Sequence, residues 1–312
     1  MHSGAAGPTP WPFVAVIVPV YNDAERLAKC LQALERQTYP ADRHEVLVVD
    51  NGSSEDIAPA CRPFVRVRCL HEPKPGSYAA RNKGIACTEA ELLAFTDSDC
   101  IPHRDWLENG VRRLIATPDC DLVGGNVIVF PKDRARRTAV ELYESAFAFP
   151  QKRRIEQSHW SVTANLFVRR SVITAVGSFN DALQSGGDAE WGRRAYSAGH
   201  RIIFANEARV DHPARASLAE LLSKARRVAG GAAVLRGDAS IRSLARYLAS
   251  SMVRCFKKTF GILTGDSFNA AGSQRFTMLE RFKISVALNL FTIRRLTEVV
   301  RLRLFKGRAR RA

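Results

Sequence analysis

Asp97 and Asp99 stand one residue apart, with Ser98 between them, at the end of an apolar run over residues 91–97. Two carboxylates leaving a strand together can hold a hard divalent ion, which takes oxygen ligands and usually keeps a phosphate among them. A capped polar strand exit would use the same residues. With fifteen Asp in the chain, roughly one such triplet arises by chance. Asp119-Cys120-Asp121 is a second triplet, and it precedes an apolar run instead of ending one. Position alone leaves both readings open. No G-x-G-x-x-G follows the first apolar run and no G-x-x-x-x-G-K-[ST] occurs, which argues against a dinucleotide enzyme and a P-loop NTPase. A diphosphate would then be held by metal and basic side chains. Arg81, Lys83 and Lys74 are available between the third and fourth apolar runs, with ordinary solvated charge as their alternative.

Such residues need elements to position them, and from 13 to 131 the pattern is regular. Apolar runs at 13–19, 45–50, 65–70, 91–97 and 123–130 alternate with helical patterns at 23–37, 77–87 and 106–115. This predicts an α/β fold with a mostly parallel central sheet covered by helices on both faces. Ligands in such sheets bind outside the carboxyl ends of the strands, so residues 21–23, 50–53 and 97–99 are the first candidates. Between 139 and 212 the pattern loosens to a strand at 160–168, a helix at 188–198 and a short strand at 201–205. Residues 151–157 read as a lid or a solvated loop. With 312 residues and 46% hydrophobic content the chain can bury a sizeable core, which excludes disordered, collagen-like and disulfide-stapled classes.

Five stretches, in order, carry a resemblance: Val18-Pro19-Val20-Tyr21-Asn22, Val49-Asp50-Asn51-Gly52-Ser53-Ser54, Ala80-Arg81-Asn82-Lys83-Gly84, Leu93-Ala94-Phe95-Thr96-Asp97-Ser98-Asp99, and Gly186-Gly187-Asp188-Ala189-Glu190-Trp191 with Arg193 or Arg194 beyond. In order and spacing, over about 13–212, they resemble the inverting family 2 glycosyltransferases with the GT-A fold. The resemblance implies that Pro19, Val20, Tyr21 and Asp50 hold the base and ribose of a nucleoside-diphosphate sugar. It places Arg81 along the nucleotide or diphosphate, and Asp97, Ser98 and Asp99 at Mg²⁺ or Mn²⁺, with Asp99 as a ligand and Asp97 at the ribose or metal-bound water. Asp188 matches the catalytic base, and His212 a late histidine that in some members meets the metal or diphosphate. Where the family pattern has an acid before the base, this chain has Gly187. Inverting transfer asks for one carboxylate to take the acceptor proton and for stabilisation of the leaving diphosphate.

Each candidate also has a plainer use. Asp188 precedes a helical run and would serve as an N-cap worth about 1 kcal/mol. His212 is a lone histidine, Tyr21 can pack at a strand exit, and Trp160 and Trp191 either line an acceptor pocket or fill the core.

Charge divides the chain at its last third. Residues 213–312 hold 21 Lys and Arg against 5 Asp and Glu, a net of +16, whereas the first 212 residues balance to zero. From 241, Ile241, Leu244, Ala245, Leu248, Met252 and Phe256 fall on one helical face, and Arg242, Arg246, Arg254, Lys257 and Lys258 on the other. Ser240 or Asp238 supplies the cap. Residues 281–311 repeat the theme. The pattern is that of helices lying on an anionic membrane surface, or of helices packed on the domain with a basic rim. Nucleic acid is not expected, since aromatic interleaving and a binding motif are missing. The longest uncharged apolar stretch, residues 284–293, is too short to span a bilayer. Seven cysteines without a C-x-x-C pair indicate a reduced, cytoplasmic setting.

The reading is a loose leader at 1–12, a GT-A catalytic domain at 13–212 (nucleotide-sugar half 13–131, acceptor half 132–212) and a basic amphipathic helical extension at 213–312. The expected activity is metal-dependent inverting sugar transfer to a hydroxyl on a glycan or lipid-linked acceptor, in cell-envelope glycan or glycolipid synthesis. The enzyme would be cytoplasmic and peripheral at the inner membrane face through 240–311. Two alternatives stand beside it. A sugar nucleotidyltransferase would carry a Gly-rich basic loop where this chain has Tyr21-Asn22-Asp23. A non-catalytic membrane or nucleic-acid adaptor is left open by Gly187.

Overall fold

The computed structural model describes residues 11–236, 240–268 and 276–304. Most of the leader, the alternative cap Asp238 and the basic tail at 306–311 lie outside the described residues. Strand β1 (Val14–Val20) leads to α1 (Ala24–Glu35), β2 (His44–Asp50), the short α2 (Ala58–Cys61), β3 (Val67–His71), α3 (Ser77–Ala86) and β4 (Leu92–Thr96). A two-residue strand β5 (Ile101–Pro102), α4 (Trp106–Ile115) and β6 (Leu122–Phe130) follow. Next come α5 (Ala139–Phe147), α6 (Gln151–Ser158), β7 (Asn165–Arg169), α7 (Arg170–Val176), α8 (Gly187–Ser197) and β8 (Ile202–Pro213). Three long helices close the chain: α9 (Leu218–Arg236), α10 (Ile241–Thr264) and α11 (Met278–Leu304).

The strands form one sheet in the order β3-β2-β1-β4-β7-β6-β8-β5. The pairs β1–β2, β1–β4, β2–β3 and β6–β8 are parallel, and those made by β7 and β5 are antiparallel. β1 is wholly buried because helices cover both faces. Val14, Val16, Val18 and Val20 pack with Leu27 and Leu31 of α1 on one side. Ala15 and Ile17 pack with Ala80 and Ile85 of α3 on the other. Each fully buried Val, Leu or Ile contributes roughly 1.5–3 kcal/mol.

Three departures from the pattern matter for the site. The strand expected at 160–168 forms only at Asn165–Arg169; residues 161–164 are buried without joining the ladder. The short strand expected at 201–205 runs on to Pro213 as β8. Its register against β6 jumps from Gly125↔Ala205 to Asn126↔Arg209. Asn206, Glu207 and Ala208 bulge out, and that polar interruption hides the second half of the strand in the sequence. Residues 151–157, expected as a lid or solvated loop, form α6, anchored by buried Gln151, whose amide donates to Ser161 Oγ at 2.7 Å.

The break drawn at 212/213 is no break in packing. Leu221 of α9, Cys255 and Ile262 of α10, and Ile284, Ala287 and Leu288 of α11 share a core with Val140, Leu142 and Tyr143 of α5. Between them Glu144 of α5, almost fully buried, pairs with Arg215 at 2.8 Å and Lys224 of α9 at 2.7 Å. Ser240 caps α10 as read, accepting from the Ser243 N–H at 3.3 Å. The expected apolar stripe of α10, however, is not its packing face. Ser251, Cys255 and Ile262 are the buried positions, while Ile241, Met252 and Phe256 are exposed. No helix among the described residues is long and apolar enough to cross a membrane.

Candidate active site

The carboxyl ends of β1, β2 and β4 open into a cavity of about 260 Å³. Pro19, Val20 and Tyr21 form one wall, Asp97, Ser98 and Asp99 the floor, and Arg81 of α3 reaches in from the side. Parallel register brings them together, since Val20 lies beside Asp50 and Ile17 beside Phe95. Asp50 itself does not line the cavity. Its carboxylate accepts the Ser53 N–H at 3.0 Å and lies 3.4 Å from His71. The adjacent Asn51 lines the cavity instead, and its amide ties down the loop before α3 by donating to the Glu72 and Lys74 carbonyls and accepting the Gly76 N–H. Of the three expected cations, Arg81 alone lines the cavity. Lys74 pairs with Asp181 at 2.7 Å, and Lys83 is exposed on α3.

Asp97, Asp99, Cys100 and His212 offer donor atoms that all lie within 4.8 Å of one another. β5 makes this possible: it pairs with Val210 and Asp211 immediately after the acid triplet, and His103 meets Asp211 at 3.0 Å. The bulged second half of β8 thereby carries His212 to the site. Its Nδ1 faces the Pro213 carbonyl at 2.8 Å, an acceptor, so Nδ1 carries a proton, and in the neutral ring that leaves the lone pair on Nε2, 3.6 Å from Asp99 Oδ2. Two electron-pair donors facing each other across that gap fit a cation. Cys100 is a poor ligand, because burial, reinforced by Asp99 and Asp97, pushes its thiol well above the ordinary range. Two aspartates and one imidazole are a donor set for Mg²⁺ or Mn²⁺.

Beside Arg26 of α1, which lies 3.9 Å from Asp99 Oδ2, two further guanidiniums face these acids. Arg81 is buried, pairs closely with Asp97, and keeps its Nε without an acceptor among the described residues. Arg227, on α9, also lines the cavity. Burial, then Arg215, lowers its pKa, yet guanidinium stays charged, and among the described residues its one hydrogen bond is a 3.5 Å contact to the Gln184 carbonyl. A half-buried cation held this loosely is suited to an anionic ligand. The sequence reading assigned Arg227 to the basic extension. The available signal was Gly230-Gly231 inside a helix, which marks close backbone approach. A Cβ on Gly231 would stand 2.0 Å from the Ser185 carbonyl oxygen, so α9 lies directly on the loop before Asp188.

Asp188 sits in the first turn of α8, beside the cavity. Its Oδ1 accepts from Tyr78 Oη at 3.2 Å and from the Ala189 N–H at 3.0 Å. Burial raises its pKa, and Arg81, the Ala189 N–H and Tyr78 pull part of that back. The glycine before it has a steric cause: a Cβ on Gly187 would stand 2.7 Å from the Tyr78 ring. Any side chain at 187 would push the Tyr78 ring from its present place, and here the phenol supports Asp188. The second acid, Glu190, pairs with Arg194 at 3.0 Å. Trp191 is core, its indole N–H donating to the Gly177 carbonyl at 2.8 Å. Trp160 lies under the Arg154 guanidinium at 5.1 Å. The arrangement has room for an anion between cations, offers a donor set for a cation beside it, and supports one carboxylate of raised proton affinity near its edge.

The family model described as Glycosyl transferase family 2 matches residues 15–177. Glycosyltransferase AglE of Haloferax volcanii is 45% identical over 226 residues, covering 70% of this chain and 73% of the relative. A pre-mycofactocin glycosyltransferase of Mycobacterium tuberculosis is 29% identical over 231 residues, and the match spans 47% of its length. Among solved structures, a mannosyltransferase from Pyrobaculum calidifontis in complex with GDP-mannose and Mn²⁺ shares the fold, with a TM-score of 0.60 and 22% identity over 97% of this chain and 90% of that one.

Proposed function

The chain belongs to glycosyl transferase family 2, and from that premise we propose that it transfers a sugar, with inversion and a divalent ion, from a nucleoside-diphosphate sugar to a hydroxyl in cell-envelope glycan or glycolipid synthesis. Pro19, Val20 and Tyr21 hold the nucleoside, with Asp50 behind them bracing the turn that carries Asn51. Arg81 and Arg227 grip the diphosphate. Asp97, Asp99 and His212 hold the ion, which when bound neutralises charge developing on the leaving diphosphate. Asp188 accepts the acceptor hydroxyl's proton as that oxygen bonds to the anomeric carbon. The bond from that carbon to the diphosphate oxygen breaks, and its electron pair leaves with the nucleoside diphosphate. The acceptor is a glycan or a lipid-linked group. Seven unpaired cysteines support a cytoplasmic site of action, and exposed apolar residues on α10 and α11 support a peripheral position at the inner membrane face.

The observation that carries this reading is an acid–histidine cluster at the cavity floor together with a half-buried, tyrosine-supported aspartate that interacts with Arg81 of the same cavity. A thermal-shift screen against GDP, UDP, dTDP and CDP, each with Mn²⁺, Mg²⁺ or EDTA, tests it. GDP with Mn²⁺ leads the screen because the Pyrobaculum mannosyltransferase was solved with GDP-mannose and Mn²⁺. One nucleotide is expected to stabilise the protein only with metal, and Asp99→Ala to abolish the metal dependence. Stabilisation by no nucleotide overturns the reading.

A further inference from the structure

A second cavity, of about 460 Å³, lies between the first turn of α6, the β6–β8 edge and α10. Phe147, Phe149 and Phe204 wall it, Lys152, Arg153 and Lys258 line it, and no acidic side chain does. Lys258 also borders an adjoining cavity of about 280 Å³ with Arg254 and Arg295, again without an acid. Lys152 pairs with Glu156, but Arg153, Lys258, Arg254 and Arg295 have no carboxylate within ion-pairing distance among the described residues, and Arg295 Nε is buried without a partner. The sequence places Lys258 on the solvated face of α10; the structure instead tucks its ammonium 3.6 Å from the centre of the Phe147 ring. Burial, then Arg153, pushes it down to about 8. The positive end of the α6 dipole adds to the same potential. Phe149 separates this cavity from the metal ligands, its ring 4.7 Å from that of His212.

We propose that this cavity binds the phosphate of an acceptor that carries an apolar chain, with the phosphate between Arg153 and Lys258 and the chain running along Phe147, Phe149 and Phe204. Two cations without a carboxylate partner beside aromatic walls, with Arg254 and Arg295 in the adjoining cavity, match an anion joined to hydrocarbon better than an uncharged glycan, whose hydroxyls would find few partners there. The word acceptor rests on the transferase reading; the binding chemistry does not.

The test is calorimetric titration of the full chain, in EDTA, with n-decyl phosphate, inorganic phosphate and n-decanol. Decyl phosphate is expected to bind at least tenfold more tightly than either of the others. Arg153→Gln with Lys258→Gln is expected to weaken it at least tenfold, and Lys258→Arg to retain it. Inorganic phosphate binding as tightly as decyl phosphate, decanol doing so, or an unaffected double variant each overturns the proposal. The nucleotide–metal thermal shift, expected unchanged in the double variant, controls for folding. Its absence from the parent protein defeats the transferase reading, and the decyl phosphate result stands apart from it.

Discussion

At the scale of single residues, the pair Tyr78–Asp188 controls how the proposed base behaves. A raised carboxyl pKa means that the base form is lost as pH falls through a value above the ordinary aspartate range. The acidic limb of kcat/KM is therefore expected above that range. Tyr78→Phe removes a donor that favours the charged carboxylate, so it is expected to move that limb to higher pH, read from a pH–rate profile. Asp188→Asn is expected to lower kcat by about 10²–10⁴-fold, the usual contribution of a general base, with nucleotide affinity unchanged by titration. Full turnover in that variant removes Asp188 from the role. Gly187→Glu tests the displacement of the Tyr78 ring by a side chain at 187. Without a companion change at 78 it is expected to impair transfer, because the ring must move off Asp188 to make room.

At the scale of elements, α9 is the part whose role changes between sequence and structure. It delivers Arg227 and presses Gly231 onto the loop before Asp188. Gly231→Ala is expected to cost about 1–3 kcal/mol by overpacking, seen as a lower Tm. Arg227→Gln is expected to weaken nucleoside diphosphate binding about tenfold while nucleoside binding holds, a split that a structural role would not produce. What keeps α9 in place is Glu144. Burial alone would raise its carboxyl, and Lys224 with Arg215 more than reverses that, so its native pKa is lowered. A carboxyl lowered on folding stabilises above its unfolded pKa, and that stability fades as pH falls through the native value. Stability measured by urea melts is expected to decline on acidification below the ordinary carboxylate range, and to decline less in Glu144→Gln, which is itself less stable at neutral pH.

At the scale of the whole molecule, the C-terminal helices serve two surfaces. Inward they complete the core around α5, and outward they leave Met252, Phe256 and Phe260 of α10 and Phe282 and Ile293 of α11 in water. Ending the chain near 213 would strip Val140, Leu142 and Tyr143 of their partners, so that truncation is expected to aggregate and cannot report on membranes. Phe256→Ser with Phe260→Ser in the full chain is the cleaner probe. Flotation with phosphatidylglycerol vesicles is expected to fall in this variant and, for the parent, to fall with salt, since the basic excess acts over a Debye length. Unchanged flotation would move any membrane contact away from α10.

Much of the donor side was legible from sequence because it is local. Short apolar runs ended by Tyr21-Asn22-Asp23 and Asp97-Ser98-Asp99 mark the strand ends where a parallel sheet gathers polar residues, and the motif order carried the family. The third core and the acceptor side were not legible. His212 reaches Asp99 only through a bulged strand whose polar interruption breaks the alternation, and β5, two residues long, leaves no periodic trace. Arg227 and Lys258 read as surface charge because a helical pattern records which residues share a face, not which neighbour that face meets. Sequence by itself determined the sheet, the strand-end chemistry and the charge of the final third. Tertiary structure alone decided that this third lines the candidate site through Arg227, since contacts between residues far apart in the chain depend on packing that no local pattern encodes.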